Sequence, residues 1–219
     1  MNGLFLMVGV GTLIGLVPRA TAGETEIRDF QIYVDNNSAG SYRMKITPHD
    51  NGTISMTAEA RVQVTFLLFK YTYTYKGTET WLGNRLMRLD STCNDDGKYF
   101  TVSAEPEGNF LRVKTNSKER TIQPDVWTTT YWRLPLDRPR NGQVSLLDAD
   151  TGRFISGKIQ DLGASRIKVA GHEQVCTHYK ITGDRIQVDA WYDAKERLVH
   201  QESLEDKHTT VLKLVNIGR

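Results

Sequence analysis

Between residues 54 and 68 every even-numbered position is apolar: Ile54, Met56, Ala58, Ala60, Val62, Val64, Phe66 and Leu68. The positions alternating with them are Thr53, Ser55, Thr57, Glu59, Arg61, Gln63 and Thr65, and only Leu67 departs from the rule. A period of two places the first set on one face of a β-strand and the second on the other. Residues two apart do not share a helical face, so a helix cannot sort this pattern. Fifteen residues at ~3.3 Å each extend about 50 Å, beyond the usual strand. The pattern predicts a large antiparallel sheet with one buried side. Beyond Leu67 the apolar phase moves to Leu67, Phe69, Tyr71, Tyr73 and Tyr75. A shift by one residue exchanges the faces, which predicts a β-bulge or sharp bend within residues 67–70.

Turn signals recur along the rest of the chain: Asn36-Asn37-Ser38-Ala39-Gly40, Asp50-Asn51-Gly52, Asp95-Asp96-Gly97, Glu107-Gly108-Asn109, Asn141-Gly142, Thr151-Gly152, Leu162-Gly163 and Thr182-Gly183-Asp184. Asn-Gly and Asp-Gly reach positive φ at little cost, which tight hairpins require. Strand-length runs lie between them, at 30–34, 42–46, 98–104, 110–115, 154–160, 167–169, 175–181, 186–192 and 211–215. The expected fold is all-β: an antiparallel meander whose strongly coiled sheet forms a barrel or part-barrel, with at most one or two short helices. Residues 125–143, with Pro124 just before them, are less regular and divide an N-terminal block of strands from a C-terminal one. A short helix is a candidate there and, more weakly than a hairpin, at 194–205.

Composition changes this picture little. Of 219 residues, 39% are hydrophobic and 25% charged, as in ordinary globular chains. The first 22 residues differ. Residues 4–17 are uncharged and mostly apolar, and Pro18 and Ala20-Thr21-Ala22 follow. This predicts a signal peptide cut after Ala22, although no Lys or Arg precedes the apolar stretch. The mature chain, 23–219, is then a single periplasmic or secreted β domain. Removing the leader removes Arg19 and leaves 27 basic against 26 acidic residues. That near balance argues against a nucleic-acid partner. No later segment is long and apolar enough for a transmembrane helix. Cys93 and Cys176, the two cysteines of an exported chain, predict one disulfide. Closing that loop of about 80 residues contributes roughly 4 kcal/mol in the chain-entropy account.

Candidate chemistry is sparse. Cys176 and His178, with His172 nearby, lack the second ligand pair of a closed zinc site, so no metal or cofactor is expected. No strand-turn-helix elbow presents a serine nucleophile, and Ser156-Gly157 does not fit one. Asp189, Asp193, Glu105 and Glu107 are carboxylates of the kind that hydrolyse glycosides in pairs, but their positions read as solvated strand faces. Aromatic residues form the clearer signal. Trp127, Tyr131 and Trp132 cluster in the irregular connector, and Trp191 precedes Tyr192 at a strand end. Such rings on a curved sheet either fill the core or line a pocket for an apolar or sugar ligand.

Four elements carry a resemblance: Trp127-Thr-Thr-Thr-Tyr131-Trp132, Leu147-Asp-Ala-Asp-Thr151-Gly152, Tyr179-Lys-Ile-Thr182-Gly183-Asp184 and Trp191-Tyr192-Asp193. Over about residues 24–215 the chain resembles a family of exported bacterial proteins of unknown function, with Arg133 where that family usually keeps an Asn. The resemblance implies a secreted all-β domain and no mechanism. More loosely, the chain is similar to the open β half-barrels of periplasmic lipoprotein carriers.

These observations lead to a non-enzymatic binding module for an apolar or amphipathic molecule, or a polypeptide, held in the concavity of the sheet. Trp127, Tyr131, Trp132 and Trp191 are its candidate ligand contacts. The alternatives are a hydrolase or isomerase acting on an envelope lipid or glycan, with Asp189, Asp193 or His178 as acid and base, and a scaffold that pairs with an envelope protein through a sheet edge.

Overall fold

The computed structural model describes residues 23–66, 69–135, 140–205 and 207–218. The expected leader, residues 1–22, lies outside them, as do Leu67 and Leu68. The described chain is strand throughout, with turns and a short irregular connector and no helix. The N-terminal block comprises β1 (Glu26–Val34), β2 (Asn37–Pro48), β3 (Thr53–Phe66), β4 (Phe69–Leu82), β5 (Arg85–Asp95), β6 (Lys98–Glu107), β7 (Phe110–Thr115) and β8 (Lys118–Ile122). The C-terminal block comprises β9 (Trp127–Thr128), β10 (Gly142–Leu147), β11 (Phe154–Val169), β12 (His172–Gly183), β13 (Ile186–Tyr192), β14 (Leu198–Glu205) and β15 (His208–Gly218).

All fifteen form one sheet in the order β8-β7-β6-β5-β4-β3-β2-β1-β15-β14-β13-β12-β11-β10-β9. Every neighbouring pair is antiparallel except β9 with β10. The first and last strands therefore pair in mid-sheet, whereas β8 and β9, consecutive in the chain, form its two edges. Only residues 123–126 join those edges. Five steps of ~3.5 Å reach about 17 Å, so the sheet must roll until its edges nearly meet. This constraint produces the part-barrel.

Residues 56–65 hold the expected alternation: Met56, Ala58 and Ala60 are buried, while Thr57, Glu59 and Arg61 are exposed. The phase change takes the form of the sharp bend and not of the bulge, with Leu67 and Leu68 themselves outside the described residues. The strand ends at Phe66 and returns from Phe69, and the two residues face each other across the ladder, as do Val64 with Tyr71 and Ala60 with Tyr75. A two-residue connection pairs even positions with odd ones, so the apolar face continues on the opposite parity. The Leu162-Gly163 turn is also corrected. β11 runs through it, with a register irregularity between Asp161 and Gly163 and φ of 85° at Gly163. Over 194–205 the preferred hairpin reading holds: residues 193–197 form the turn and 198–205 are strand β14, antiparallel to β13.

The expected disulfide is absent from the structure. Cys93 and Cys176 are both free and buried. Cys93 lies on β5 and Cys176 on β12, with β4, β3, β2, β1, β15, β14 and β13 between them in the sheet. Burial pushes the Cys93 thiol up to about 12, which makes it a poor thiolate former.

Candidate functional site

The inner face of β4 carries Tyr73, Tyr75, Gly77, Glu79 and Trp81. Glu79 is fully buried, so its carboxylate needs donors from the chain itself. The connector that follows β8 supplies most of them. Its Oε2 accepts from Trp81 Nε1 at 2.8 Å, from Thr128 Oγ1 at 3.0 Å and from Trp132 Nε1 at 3.0 Å. Its Oε1 accepts from Thr130 Oγ1 at 2.7 Å. Burial pushes the Glu79 carboxyl above its ordinary range, and the four donors work against that rise. The Arg133 guanidinium lies 4.7 Å from the Trp81 ring centre and 5.3 Å from that of Trp132, and donates to the Gly83 carbonyl at 2.7 Å.

The same connector is a plug for the rolled sheet. Thr129 N bonds the Leu147 carbonyl at 3.1 Å, and Tyr131 turns the chain with φ of 48°. Trp127 packs edge-on against Tyr131, with ring centres 4.9 Å apart, and donates to the Arg133 carbonyl at 2.8 Å. Tyr192 Oη donates to the Tyr131 carbonyl at 2.7 Å. Arg28, 5% exposed, reaches the Trp132 carbonyl at 2.7 Å. A chain of ion pairs continues from Arg28 to Glu26 (2.5 Å), Glu26 to Arg197 (3.3 Å) and Arg197 to Asp193 (2.6 Å). At ~25 cal/mol per Å², burying an indole of roughly 200 Å² contributes about 5 kcal/mol gross.

A second loop closes the other part of the seam. Residues 148–153, between β10 and β11, lie against the N-terminal wall. Tyr73 Oη donates to Asp150 Oδ2 at 2.7 Å, Ser91 Oγ to the Ala149 carbonyl at 2.5 Å and Thr115 Oγ1 to the Thr151 carbonyl at 3.1 Å. Arg120 donates to the Gly152 carbonyl. A Cβ at Gly152 would lie 2.1 Å from Thr115 Oγ1, so glycine permits this approach. Burial and the neighbouring Asp148 charge push the partly buried Asp150 carboxyl up to about 7, opposed by the Tyr73 bond.

Three of the four expected ligand contacts come together, but as core. Trp127 and Tyr131 are each 2% exposed and Trp132 is 4% exposed, so they offer no contact area to a ligand in this conformation. Trp191 is separate from them. It points away from Tyr192, on the outer face, where His178 stacks on it at 4.2 Å between ring centres and His200 meets it edge-on at 4.9 Å. His178 Nε2 bonds Asp189 Oδ1 at 2.7 Å, and His200 Nε2 bonds Glu202 Oε1 at 2.9 Å. Burial pushes His200 below its ordinary value. Asp189 and Glu202 are direct cross-strand partners, a like-charge juxtaposition in which each carboxylate is hydrogen-bonded to an imidazole.

Asp193 does not join them, because it caps its own turn through the amides of Lys195 and Arg197. Glu105 and Glu107 both pair with Arg112 on the outer face. Among the described residues no group of three or more His, Cys, Asp or Glu is placed to hold a metal ion. Two shallow polar depressions mark the outer face of β4–β8. One, of about 530 Å³, includes Lys76, Thr78, Asp90, Thr92, Thr101 and Lys114; the other, of about 290 Å³, includes Glu105, Arg112 and Glu119.

Sequence reasoning missed Glu79, Arg28 and Asp150. Glu79 did leave a signal, since it interrupts the apolar parity of Tyr71, Tyr73, Tyr75 and Trp81. An acidic residue at an inward position needs donors, and the Thr- and Trp-rich connector contains them.

Fold and site together define a rolled antiparallel sheet held shut by its own connector. The chain belongs to a family described as a domain of unknown function, DUF6134, whose model matches residues 30–215. It is also similar to the crystal structure of a beta-barrel-like protein of domain of unknown function DUF1849 from Brucella abortus. That likeness has a TM-score of 0.65 at 14% identity and covers 88% of this chain and 96% of that one. No curated protein matches the chain.

Proposed function

We propose that this chain is an exported, non-enzymatic binding module of the cell envelope, and that it meets an extended polypeptide on its outside. Export, with removal of residues 1–22 into the periplasm or medium, belongs to the same reading. The observation that carries it is the occupied concavity. Trp127, Tyr131 and Trp132 fill the space an apolar or amphipathic molecule would take, and Glu79 holds their connector there through Thr128, Thr130 and Trp132. A ligand inside would have to displace this network.

The test offers the mature protein two probes: fatty-acid micelles and a reduced, carboxymethylated unfolded protein. The expected result is retention of the unfolded polypeptide, with tryptophan fluorescence unmoved by the fatty acid. Stoichiometric fatty acid in native mass spectra, with a shift in tryptophan emission, would overturn the reading.

A second reading, a hydrolase or isomerase of an envelope lipid or glycan, draws on the 2.7 Å contact of His178 with Asp189. Against it, Trp191 covers one face of the His178 ring, and Asp193, the third expected acid–base group, is engaged elsewhere. Turnover of a lipid or glycan that disappears in His178→Gln would establish this alternative.

A further inference from the structure

Several stretches of the sheet lack a strand on one side, among them residues 172–176 of β12, which β13 does not reach, but the two outermost strands are guarded. β8 has five residues, is rich in charge and sends Arg120 back onto the Gly152 carbonyl. β9 has two residues, both buried. β11 differs. It has sixteen residues and pairs with β12 as far as Val169, but β10 covers it only from Phe154 to Ile159. From residue 160 to 169 one side of β11 has no strand partner among the described residues.

The direction of its free groups follows from the turn. Ala170 and Gly171 have φ of 47° and 86°, a two-residue connection in which the flanking pair, Val169 and His172, exchanges both hydrogen bonds. Bonded pairs then alternate through Ile167 and Ser165. The N–H and C=O groups of Lys168, Arg166 and Ala164 therefore point away from β12, toward the open side. All three residues are exposed, whereas Val169 is buried and Ala170 N bonds the Leu214 carbonyl at 3.3 Å. The tip of the hairpin is thus tied to the body at Leu214, while the three outward-facing residues behind it stay exposed. Arg166 and Lys168 lie two apart on the exposed face, and neither makes an ion pair with another described residue.

We infer that the open edge of β11 is a docking site for an extended polypeptide segment with carboxylates two residues apart. The partner adds as an antiparallel strand, its main chain bonding Ala164, Arg166 and Lys168, and its carboxylates meet the guanidinium and ammonium groups. This rests on the polypeptide reading above and assigns it a location and a chemistry. Specificity comes from charge, because main-chain pairing alone accepts any sequence.

The probe is a fluorescent ten-residue peptide alternating Thr and Glu, compared with one alternating Thr and Lys, measured by anisotropy and hydrogen exchange on the mature protein. The Glu peptide is expected to bind more tightly and to protect residues 160–169. Reversal of both charges, Arg166→Glu with Lys168→Glu, is expected to weaken it by at least about tenfold and to favour the Lys peptide. Ala164→Pro removes one outward N–H and leaves the β12 ladder intact, so it is expected to weaken both peptides. Equal binding of the two peptides, or unchanged binding by both variants, would overturn the assignment. Protection confined to another surface would overturn this edge while leaving polypeptide binding standing. Absence of protection by either peptide, together with failure to retain the unfolded protein, would remove both.

Discussion

The two loops that close the seam meet the same wall in opposite ways. At the connector the carboxylate belongs to the wall: Glu79 on β4 receives two Thr hydroxyls and the Trp132 indole from the arriving segment. At residues 148–153 the carboxylate belongs to the loop: Asp150 receives a single hydroxyl from the wall, that of Tyr73, with Asp148 beside it on its own loop. The first junction is saturated with donors and dry. At the second the wall's other three bonds go to main-chain carbonyls, so the carboxylate has one donor from the wall, is partly accessible and has a like charge beside it. The difference teaches that a rolled sheet without edge-to-edge pairing can be locked at one point and merely latched at another.

The largest effect should come from breaking the lock. Glu79→Ala takes the shared acceptor from four buried donors, of which only the Thr128 and Thr130 hydroxyls keep a bond, to each other, and is expected to cost about 3–5 kcal/mol in urea unfolding. A loss below about 1 kcal/mol would show that the connector is held by packing alone. Next, Gly77→Ala places a methyl group 2.1 Å from the Tyr75 hydroxyl in the same wall, with an expected loss of about 1–3 kcal/mol.

The latch is tested by pH. Asp150 titrates higher in the folded protein than in the unfolded chain, so its contribution is fully present below the ordinary Asp range near 4. It is lost as pH rises through about 7. Wild-type stability should fall across that window, and Asp150→Asn should flatten the decline, leaving the part with the same sign that Glu79 contributes. An identical slope in the variant would remove Asp150 from the latch. Tyr192→Phe, which takes one hydroxyl from the Tyr131 carbonyl, is expected to cost about 1 kcal/mol. At the small end, Lys76→Ala breaks an exposed pair with Glu59 and should leave the urea midpoint unchanged within error.

The wall was legible because it repeats. A period of two over thirteen residues, 54–66, leaves one interpretation, and burial alternates with it from Met56 to Thr65. The seam was not legible, because it is built from single residues distant in sequence. Thr128 and Thr130 read as connector polarity until Glu79, some fifty residues earlier, is seen beneath them. The aromatic cluster was visible, but its choice between core and pocket depended on whether the sheet rolled over it. Leu67 exposed the limit of parity reasoning, since a bulge and a two-residue reversal shift the phase alike. Gly163 did the same, as positive φ serves a register irregularity as well as a turn.

The pairing of β1 with β15 bears on how the molecule comes into being. Ile27 lies opposite Gly218, so one of the two partners of β1 is separated from it along the chain by thirteen other strands, and that pairing must wait until all of them have been made. The neighbouring ends also invite circular permutation: joining residues 23 and 218 by a short linker and cutting within residues 123–126 would yield a polypeptide in which sheet order and synthesis order coincide. Such a permutant should assemble faster than the natural arrangement while its two outer edges lose their leash.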